Sequence, residues 1–284
     1  MKKFTKKFII ANAVALAASF AVQAFQVDQP AQATPPASAG QVATAQLQKA
    51  VDGSWRSPAN KARDAYRHPA ETLTFFGIRP DMTVIEIWPS GGWFTEILAP
   101  YLNENGHYIA AVPPGSKSAV ALKKKFGFDK AHYGHAGFVE FDDKKPNLGA
   151  PGSADMVLTF RNVHNWAADG NADAMFKAFY TVLKPGGVLG VEDHRADKGK
   201  KLDEVVNSGY LPTDYVIKLA TDAGFKLDGQ SEVNANPKDN HDHPKGVWTL
   251  PPTLELKDQD KAKYMAIGES DRMTLRFVKP ATAK

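Results

Sequence analysis

Residues 84–98 read VIEIWPSGGWFTEIL, and this stretch decides the fold of the chain. The apolar run Val84–Ile87 is typical of a short buried strand, and the residues after Gly92 have a helical pattern. A glycine-containing turn therefore joins a strand to a helix, and such a turn presents backbone N–H groups at a helix N-terminus. Gly91 and Gly92 are suited to a turn in which the backbone approaches a ligand or takes a positive φ.

A second stretch, AMFKAFYTVLKPGGVLGVEDH at residues 174–194, predicts a helix followed by a strand. Apolar side chains recur at helical spacing, from Met175 to Leu183. The helix must end at Lys184–Gly187, which reads Lys-Pro-Gly-Gly, because proline cannot continue it. Val188–Val191 then reads as a strand.

Strands and helices alternate through most of the chain. Besides the two strands above, apolar runs predict strands at Tyr108–Val112, Phe138–Phe141, Ala154–Phe160, Phe225–Val233 and Met273–Val278. Helices between consecutive strands imply crossover connections and a mostly parallel sheet. Residues 234–263 are polar and proline-rich, which predicts a long loop or flap over a C-terminal hairpin.

Together the two stretches resemble the first and last core motifs of the class I S-adenosylmethionine-dependent methyltransferases. The resemblance covers Val84–Pro280, and its most specific part is the helix, Lys-Pro-Gly-Gly, strand passage. It implies a Rossmann-like seven-stranded α/β sandwich with an antiparallel C-terminal hairpin. It also implies S-adenosylmethionine as cofactor and a small-molecule substrate. The pattern Glu-Ile-x-Pro-x-Gly-Gly-Trp at Glu86–Trp93 is similar to that of a group of exported bacterial methyltransferase-like proteins.

The first motif departs from the family where that family holds its cofactor. The family has an acid followed by glycine at every second position; here Glu86 stands for the acid, Trp88 and Ser90 replace two glycines, and only Gly92 is retained. The second strand ends in Ala-Val-Pro-Pro at residues 111–114, without the acid that holds the ribose hydroxyls in the family.

The resemblance implies three sets of site residues. The expected cofactor-binding residues are Glu86, Trp88, Ser90, Gly91, Gly92, Asp142 (or its neighbour Asp143) and Asn162. The expected catalytic residues are His164 as base, His194 as the second candidate and Asn162. The expected substrate contacts are Trp166, Arg67 and His68.

Each assignment has a purely structural alternative. Glu86 could accept hydrogen bonds from its own turn, and residues 192–195 could be a surface charge cluster. Arg67 and His68 could be a surface pair at a helix end, and the tryptophans could be core residues. His241–His243 resembles a metal site, but a solvated loop is the favoured interpretation because no third ligand stands at suitable spacing. No metal site is predicted.

The N-terminus reads as a signal peptide. Four lysines within residues 2–7 precede an apolar stretch, and Val-Gln-Ala at residues 22–24 is a cleavage pattern, so cleavage is expected after Ala24. We expect a periplasmic or secreted protein with no stable membrane anchor. Residues 25–52 read as a disordered linker, and residues 53–284 as the methyltransferase-like domain.

Composition excludes several classes of function. There is no cysteine, so disulfides and thiolate nucleophiles are absent. Of 35 basic residues, four lie in the signal region, which leaves 31 basic against 31 acidic residues. The mature charge therefore gives no indication of nucleic-acid binding.

Three functions are compared. The first is a methyltransferase using S-adenosylmethionine on an unknown small molecule. The alternative is a non-catalytic exported ligand-binding protein on a degenerate methyltransferase scaffold. A nicotinamide-dependent oxidoreductase is disfavoured because its Gly-x-Gly-x-x-Gly turn is missing.

Overall fold

A seven-stranded sheet lies at the centre of the protein, in a computed structural model that describes residues 39–281. Its strands are β1 Thr83–Ile87, β2 His107–Val112, β3 Gly137–Glu140, β4 Ala154–Phe160, β5 Leu183–His194, β6 Lys226–Ser231 and β7 Arg272–Val278. Across the sheet they are ordered β3-β2-β1-β4-β5-β7-β6. The first five are parallel, and β7 is antiparallel to β5 and β6. The predicted fold class is confirmed.

Helices connect the strands and cover the sheet. They are α1 Ala39–Val51, α2 Pro58–Lys61, α3 Asp64–Arg67, α4 Pro69–Phe76, α5 Thr95–Leu102, α6 Lys117–Phe128, α7 Lys130–Tyr133, α8 Val163–Asp169, α9 Ala172–Val182, α10 Leu202–Val205, α11 Thr213–Asp222 and α12 Lys261–Ile267. Short 3-10 helices occupy Val206–Ser208 and Gly246–Thr249.

Two apolar cores form, one on each face of the sheet. Val84 of β1 belongs to one core and the adjacent Ile85 to the other, since successive side chains of a strand point to opposite faces. Both side chains are almost fully buried. Burial on both faces of the sheet explains why Val84, Ile85 and Ile87 of β1 are all apolar, with Glu86 as the exception.

The Lys-Pro-Gly-Gly segment ends α9 at Val182, as predicted. β5 begins at once at Leu183, so the strand is longer than the predicted Val188–Val191. Gly186 has a φ of 80°. A Cβ atom at Gly187 would lie 2.8 Å from the carbonyl oxygen of Lys184. Both positions therefore require glycine.

The prediction of a disordered linker over residues 25–52 is wrong for residues 39–51, which form α1. The reason is a short apolar face: Leu47, Ala50 and Val51 recur at helical spacing and are buried against the sheet-covering helices α4 and α5. The predicted signal peptide and residues 25–38 lie outside the described residues. Within residues 39–281 no helix has the length and apolar character needed to cross a bilayer.

Candidate functional site

A cleft of about 430 Å³ opens at the carboxyl ends of β1, β4 and β5. This edge is where open α/β sheets bind their ligands. The segments after all three strands contribute to it, and so do five residues of the proline-rich segment, namely Val247, Trp248, Pro251, Pro252 and Thr253. That segment was predicted as a flap over the C-terminal hairpin; it also lines the cleft. The cleft-lining residues used below are Arg63, Arg67, Ser90, Gly91, Arg161, His164, His194, Trp248 and Glu269.

The loop after β1 keeps a left-handed backbone at every second residue. The φ angles are 45° at Trp88, 50° at Ser90 and 79° at Gly92. Two of these positions carry side chains, and a left-handed conformation costs such residues about 1–2 kcal/mol each. At Gly92 a Cβ atom would lie 2.9 Å from Cδ2 of Leu122, so this position also requires glycine for packing. Strain of this kind is concentrated at functional loops.

The indole of Trp88 packs away from solvent on one core of the sheet. Its side chain is half-buried against the cluster that contains Ile87 and Phe141. Its backbone N–H donates to the carbonyl oxygen of Ala111 at 2.8 Å. Trp88 therefore fastens the loop to the end of β2.

Glu86 is buried and is engaged by hydroxyl groups rather than by its own turn. Its Oε2 accepts from Tyr108 at 2.6 Å and from Thr95 at 2.9 Å. Burial raises the pKa of Glu86 to about 7, and the two hydroxyl donors oppose this only in part. The cavity beside Glu86 has a volume of about 30 Å³.

His164 and Asp193 form a buried pair at the cleft. Nδ1 of His164 lies 2.9 Å from Oδ1 of Asp193, and Oδ2 accepts the N–H of Val163 at 2.7 Å. Asp193 engages Nδ1 and thereby orients the imidazole. Nε2 is left for other partners. This arrangement is that of a general base with an orienting carboxylate.

His194 stands beside this pair. The ring centroids of His164 and His194 are 4.9 Å apart, and Nδ1 of His194 lies 2.5 Å from Oγ of Ser270. Burial lowers the pKa of His194 well below its usual value, and the positive charges of Arg161 and other nearby groups add to this. His194 is therefore neutral near pH 7.

Four arginines surround two buried glutamates behind and along the cleft. Glu269 is 2.7 Å from Nε of Arg63 and 2.9 Å from Nε of Arg67. Glu192 is 2.8 Å from Arg272 and 3.6 Å from Arg161. Arg272 also approaches Glu269 at 3.4 Å. We call these six residues the arginine–glutamate network.

The structure brings five of the predicted site residues to the cleft, namely Arg67, Ser90, Gly91, His164 and His194. The alternative of a surface pair is wrong for Arg67, which is only 2 % exposed. The surface-cluster alternative is wrong for Glu192 and Asp193, which are fully buried.

Other predicted residues lie elsewhere. Trp166 was expected to contact substrate; it is fully buried and packs against Phe179 in the core. Asn162 is buried and donates to the carbonyl oxygen of Ile87 at 2.9 Å, so it ties the end of β4 to the end of β1.

Asp142 and His68 also lie outside the cleft-lining set. Asp142 is exposed after β3, and its carboxylate accepts the N–H of Lys144 in its own turn. His68 is the left-handed junction between α3 and α4, with a φ of 41°.

The His241–His243 segment is ordered, so the solvated-loop interpretation is wrong for it. His241 lies 2.7 Å from Asp197, and the buried side chain of His243 lies 2.8 Å from Asp239. Asp239 also accepts from the hydroxyl of Tyr210. These contacts are structural, and none of the residues that make them lines the cleft.

Several cleft residues were given no role from the sequence. Arg161 directly follows β4, in the segment that the family resemblance places beside the substrate, and that position could have indicated a role because loops after strands carry function in this fold. Arg63 and Glu269 carry no comparable signal, since they meet only through contacts between residues about 200 positions apart.

S-adenosylmethionine fits the residues of this site at one end and not at the other. The loop at residues 88–92 has a left-handed backbone at every second residue, and a Cβ atom at Gly91 would meet nothing within 4 Å, so there is open space at Gly91. At the nucleoside end the fit is poor. β2 ends at Val112 without an acid, and the cavity beside Glu86 is of the size of one water molecule.

No family model and no curated protein matches the chain. Among solved structures, a SAM-dependent methyltransferase from Aquifex aeolicus is 15 % identical over 83 % of this chain and 98 % of its own, with a TM-score of 0.53. The cyclase SpnF is 14 % identical over 86 % and 96 %, with a TM-score of 0.56. A SAM-dependent methyltransferase from Methanosarcina mazei is 12 % identical over 74 % and 97 %, with a TM-score of 0.51.

At these identities the likeness establishes the fold, which is the Rossmann-like fold of class I methyltransferases. The fold does not fix the reaction, since one of these three neighbours is a cyclase.

Proposed function

We propose that this protein is an S-adenosylmethionine-dependent methyltransferase acting on a small molecule. One observation carries the proposal: the loop with the left-handed backbone at Trp88, Ser90 and Gly92 and the His164–Asp193 pair border the same cleft. A strained loop and an oriented base at one strand edge are an arrangement that structural packing alone does not require.

The residues of this chain have separable roles. The backbone of residues 90–92 would hold the cofactor, which supplies an electrophilic methyl group when bound. Nε2 of His164 takes the proton of the acceptor's hydroxyl or amine, and Asp193 stabilises the imidazolium through Nδ1. Trp248 and the nearby Pro251 and Pro252 line the cleft and would shield a bound substrate from part of the solvent.

Isothermal titration calorimetry with S-adenosylmethionine and S-adenosylhomocysteine tests the proposal. We expect saturable heat with both ligands. Gly91→Val should weaken binding at least about ten-fold, because its side chain would enter open space at the loop. Gly127→Val is the matched control, since a Cβ atom at this exposed glycine on α6 also meets nothing within 4 Å. No heat with either ligand at millimolar concentration would refute the proposal.

A second candidate, a non-catalytic ligand-binding protein, is favoured by the small cavity beside Glu86 and by the missing acid at the end of β2. Native mass spectrometry of the purified protein separates the two. A copurifying adenosyl compound counts against the second candidate, and a different bound molecule supports it.

We also propose that the protein is exported and cleaved after Ala24. Four lysines and an apolar stretch at the N-terminus support this. The intact mass of the protein purified from its periplasm or medium should correspond to a chain that begins at Phe25, and a chain that retains Met1 would contradict export by cleavage.

A further inference from the structure

The arginine–glutamate network contains more positive than negative charge. It has four guanidinium groups and two carboxylates. Of the carboxylates outside the network, Asp193 is already engaged by His164 and by the N–H of Val163. Glu86 borders a small cavity together with Arg161, and burial raises its pKa to about 7, so it offsets only part of the excess near neutral pH. Buried charge without a partner is costly, so such an excess indicates a missing anion.

Two buried unpaired donors of the network belong to residues that line the cleft. Nη2 of Arg63 has no hydrogen-bond partner within the described residues, and Nη1 of Arg161 has only the 3.6 Å approach to Glu192. Two further unpaired atoms, Nε of Arg272 and the acceptor Oε2 of Glu192, belong to network residues outside the cleft lining. Arg67 bonds Glu269 through Nε, and its guanidinium lies 4.9 Å from the ring centre of Trp93, which fixes its plane. All three arginines border the same space.

The pKa shifts of Arg67 and Arg161 are consistent with an excess of positive charge at the cleft. Burial and the neighbouring charge of Arg161 lower the pKa of Arg67. Burial likewise lowers the pKa of Arg161, with the charge of Arg272 adding to it. Each guanidinium is thus destabilised by its surroundings, and a bound oxyanion would relieve this.

The rest of the cleft sets the shape of the ligand. Val247, Trp248 and Pro251 supply apolar surface to the same cleft as the arginines. Glu269 is the single carboxylate among the cleft-lining residues of the described chain, and two arginines hold it. A metal ion is disfavoured at His164, Asp193 and His194, although their ligand atoms lie within 4.8 Å of one another, because three arginines stand nearby.

We infer that the cleft binds a small organic anion, with a carboxylate or phosphate group on Arg63, Arg67 and Arg161 and an apolar body against Trp248. Guanidinium groups bind planar and tetrahedral oxyanions through paired N–H donors. The identification of this anion as the methyl acceptor rests on the proposed function. The binding of the anion to the cleft does not depend on that function.

Calorimetric titration of the full chain in low-salt Tris chloride, without cofactor, tests the inference. The probes are benzoate, phenyl phosphate, inorganic phosphate and the neutral benzamide. We expect saturable binding of benzoate or phenyl phosphate, weaker binding of inorganic phosphate, and none of benzamide. Binding should weaken as salt is raised. The two aromatic anions distinguish a carboxylate from a phosphate ligand.

Arg63→Gln and Arg161→Gln should each raise the Kd of the preferred anion roughly 10- to 100-fold, because each removes a charged hydrogen bond. Arg63→Gln should disturb folding less than Arg161→Gln does, because the side chain of Arg63 is one-quarter exposed. Arg79→Gln is the control, since Arg79 pairs with Asp81 on the surface outside the cleft. Equal binding of benzamide, no binding of any anion, or no effect of both cleft variants would overturn the inference. If anions bind and S-adenosylmethionine does not, the inference holds and the proposed function fails.

Discussion

Nδ1 of His164 lies 2.9 Å from Oδ1 of Asp193, so the first turn of α8 is joined to the end of β5 through one carboxylate. The same carboxylate accepts the N–H groups of Val163 at 2.7 Å and His194 at 2.8 Å. Asp193 therefore fixes the position of both cleft histidines.

Asp193→Asn is expected to lower the free energy of unfolding by about 2–4 kcal/mol, because an amide nitrogen cannot accept the hydrogen bonds made to this buried carboxylate. Methyl transfer to any acceptor found should slow about 10²- to 10⁴-fold, since the base loses its orienting partner. Urea denaturation and single-turnover kinetics measure the two effects. Asp142→Asn, at an exposed turn, is the control. If Asp193→Asn leaves the free energy of unfolding unchanged, the hydrogen bonds of Asp193 do not stabilise the cleft.

Glu86→Gln should change how stability depends on pH. The pKa of Glu86 is about 7 in the folded protein against an ordinary value of 4.5. Between these values the folded state binds more protons than the unfolded state, so stability falls as pH rises from 4.5 to 7. Glutamine at position 86 does not ionise, so the loss of stability with rising pH disappears. Its side-chain oxygen can still accept hydrogen bonds from the hydroxyls of Tyr108 and Thr95. Above pH 7 we expect the variant to be more stable by up to about 3 kcal/mol.

Thermal and urea unfolding from pH 4.5 to pH 8 measure this effect. Glu140→Gln serves as control, because Glu140 is exposed and pairs with Lys123. If Glu86→Gln and the parent protein show the same slope with pH, the buried carboxylate is not the source of the dependence.

Ser90→Gly should stabilise the protein by about 0.5–1 kcal/mol. Ser90 has a φ of 50°, a conformation that glycine adopts without the clash of a Cβ atom, although the unfolded chain becomes more flexible. Ser90→Ala keeps the Cβ atom and should give no gain. Equal stabilities of the glycine and alanine variants would mean that the loop is not strained at this position.

Leu47→Ala should destabilise the protein by about 2–4 kcal/mol, the usual effect of removing a buried leucine side chain. Val42→Ala on the same helix is the matched control, because Val42 is 44 % exposed and should matter little. Urea denaturation compares the two. If the two substitutions lower the free energy of unfolding equally, α1 does not pack against the rest of the domain through Leu47.

The fold could be predicted from local patterns. The apolar run of β1, the turn at Gly91-Gly92 and the proline after α9 each act within a few residues, and they mark where strands and helices begin and end. α1 was missed because its apolar face has only three members within a segment of polar and small residues.

The cleft was predicted mainly where it coincides with strand ends. Ser90 lies three residues after β1, His164 lies in the first turn of the helix after β4, and His194 is the last residue of β5. Arg67, at the end of α3, is the exception. Trp166 could have been excluded from the sequence, since two residues of a helix differ by about 200° and His164 and Trp166 cannot face the same way. Arg63 and Glu269 depend on tertiary contacts that no local pattern encodes.

The arginine–glutamate network also has a consequence for the order of folding. Glu269 has partners from the opposite end of the domain, since it is 206 positions from Arg63 and 202 positions from Arg67 in sequence. Contacts of such long range close only after the intervening chain has been organised. The cleft is therefore completed when β7 docks on the sheet. Met273, Leu275 and Phe277 of β7 belong to one of the two apolar cores, so that core and the ligand-recognising cleft are completed at the same step.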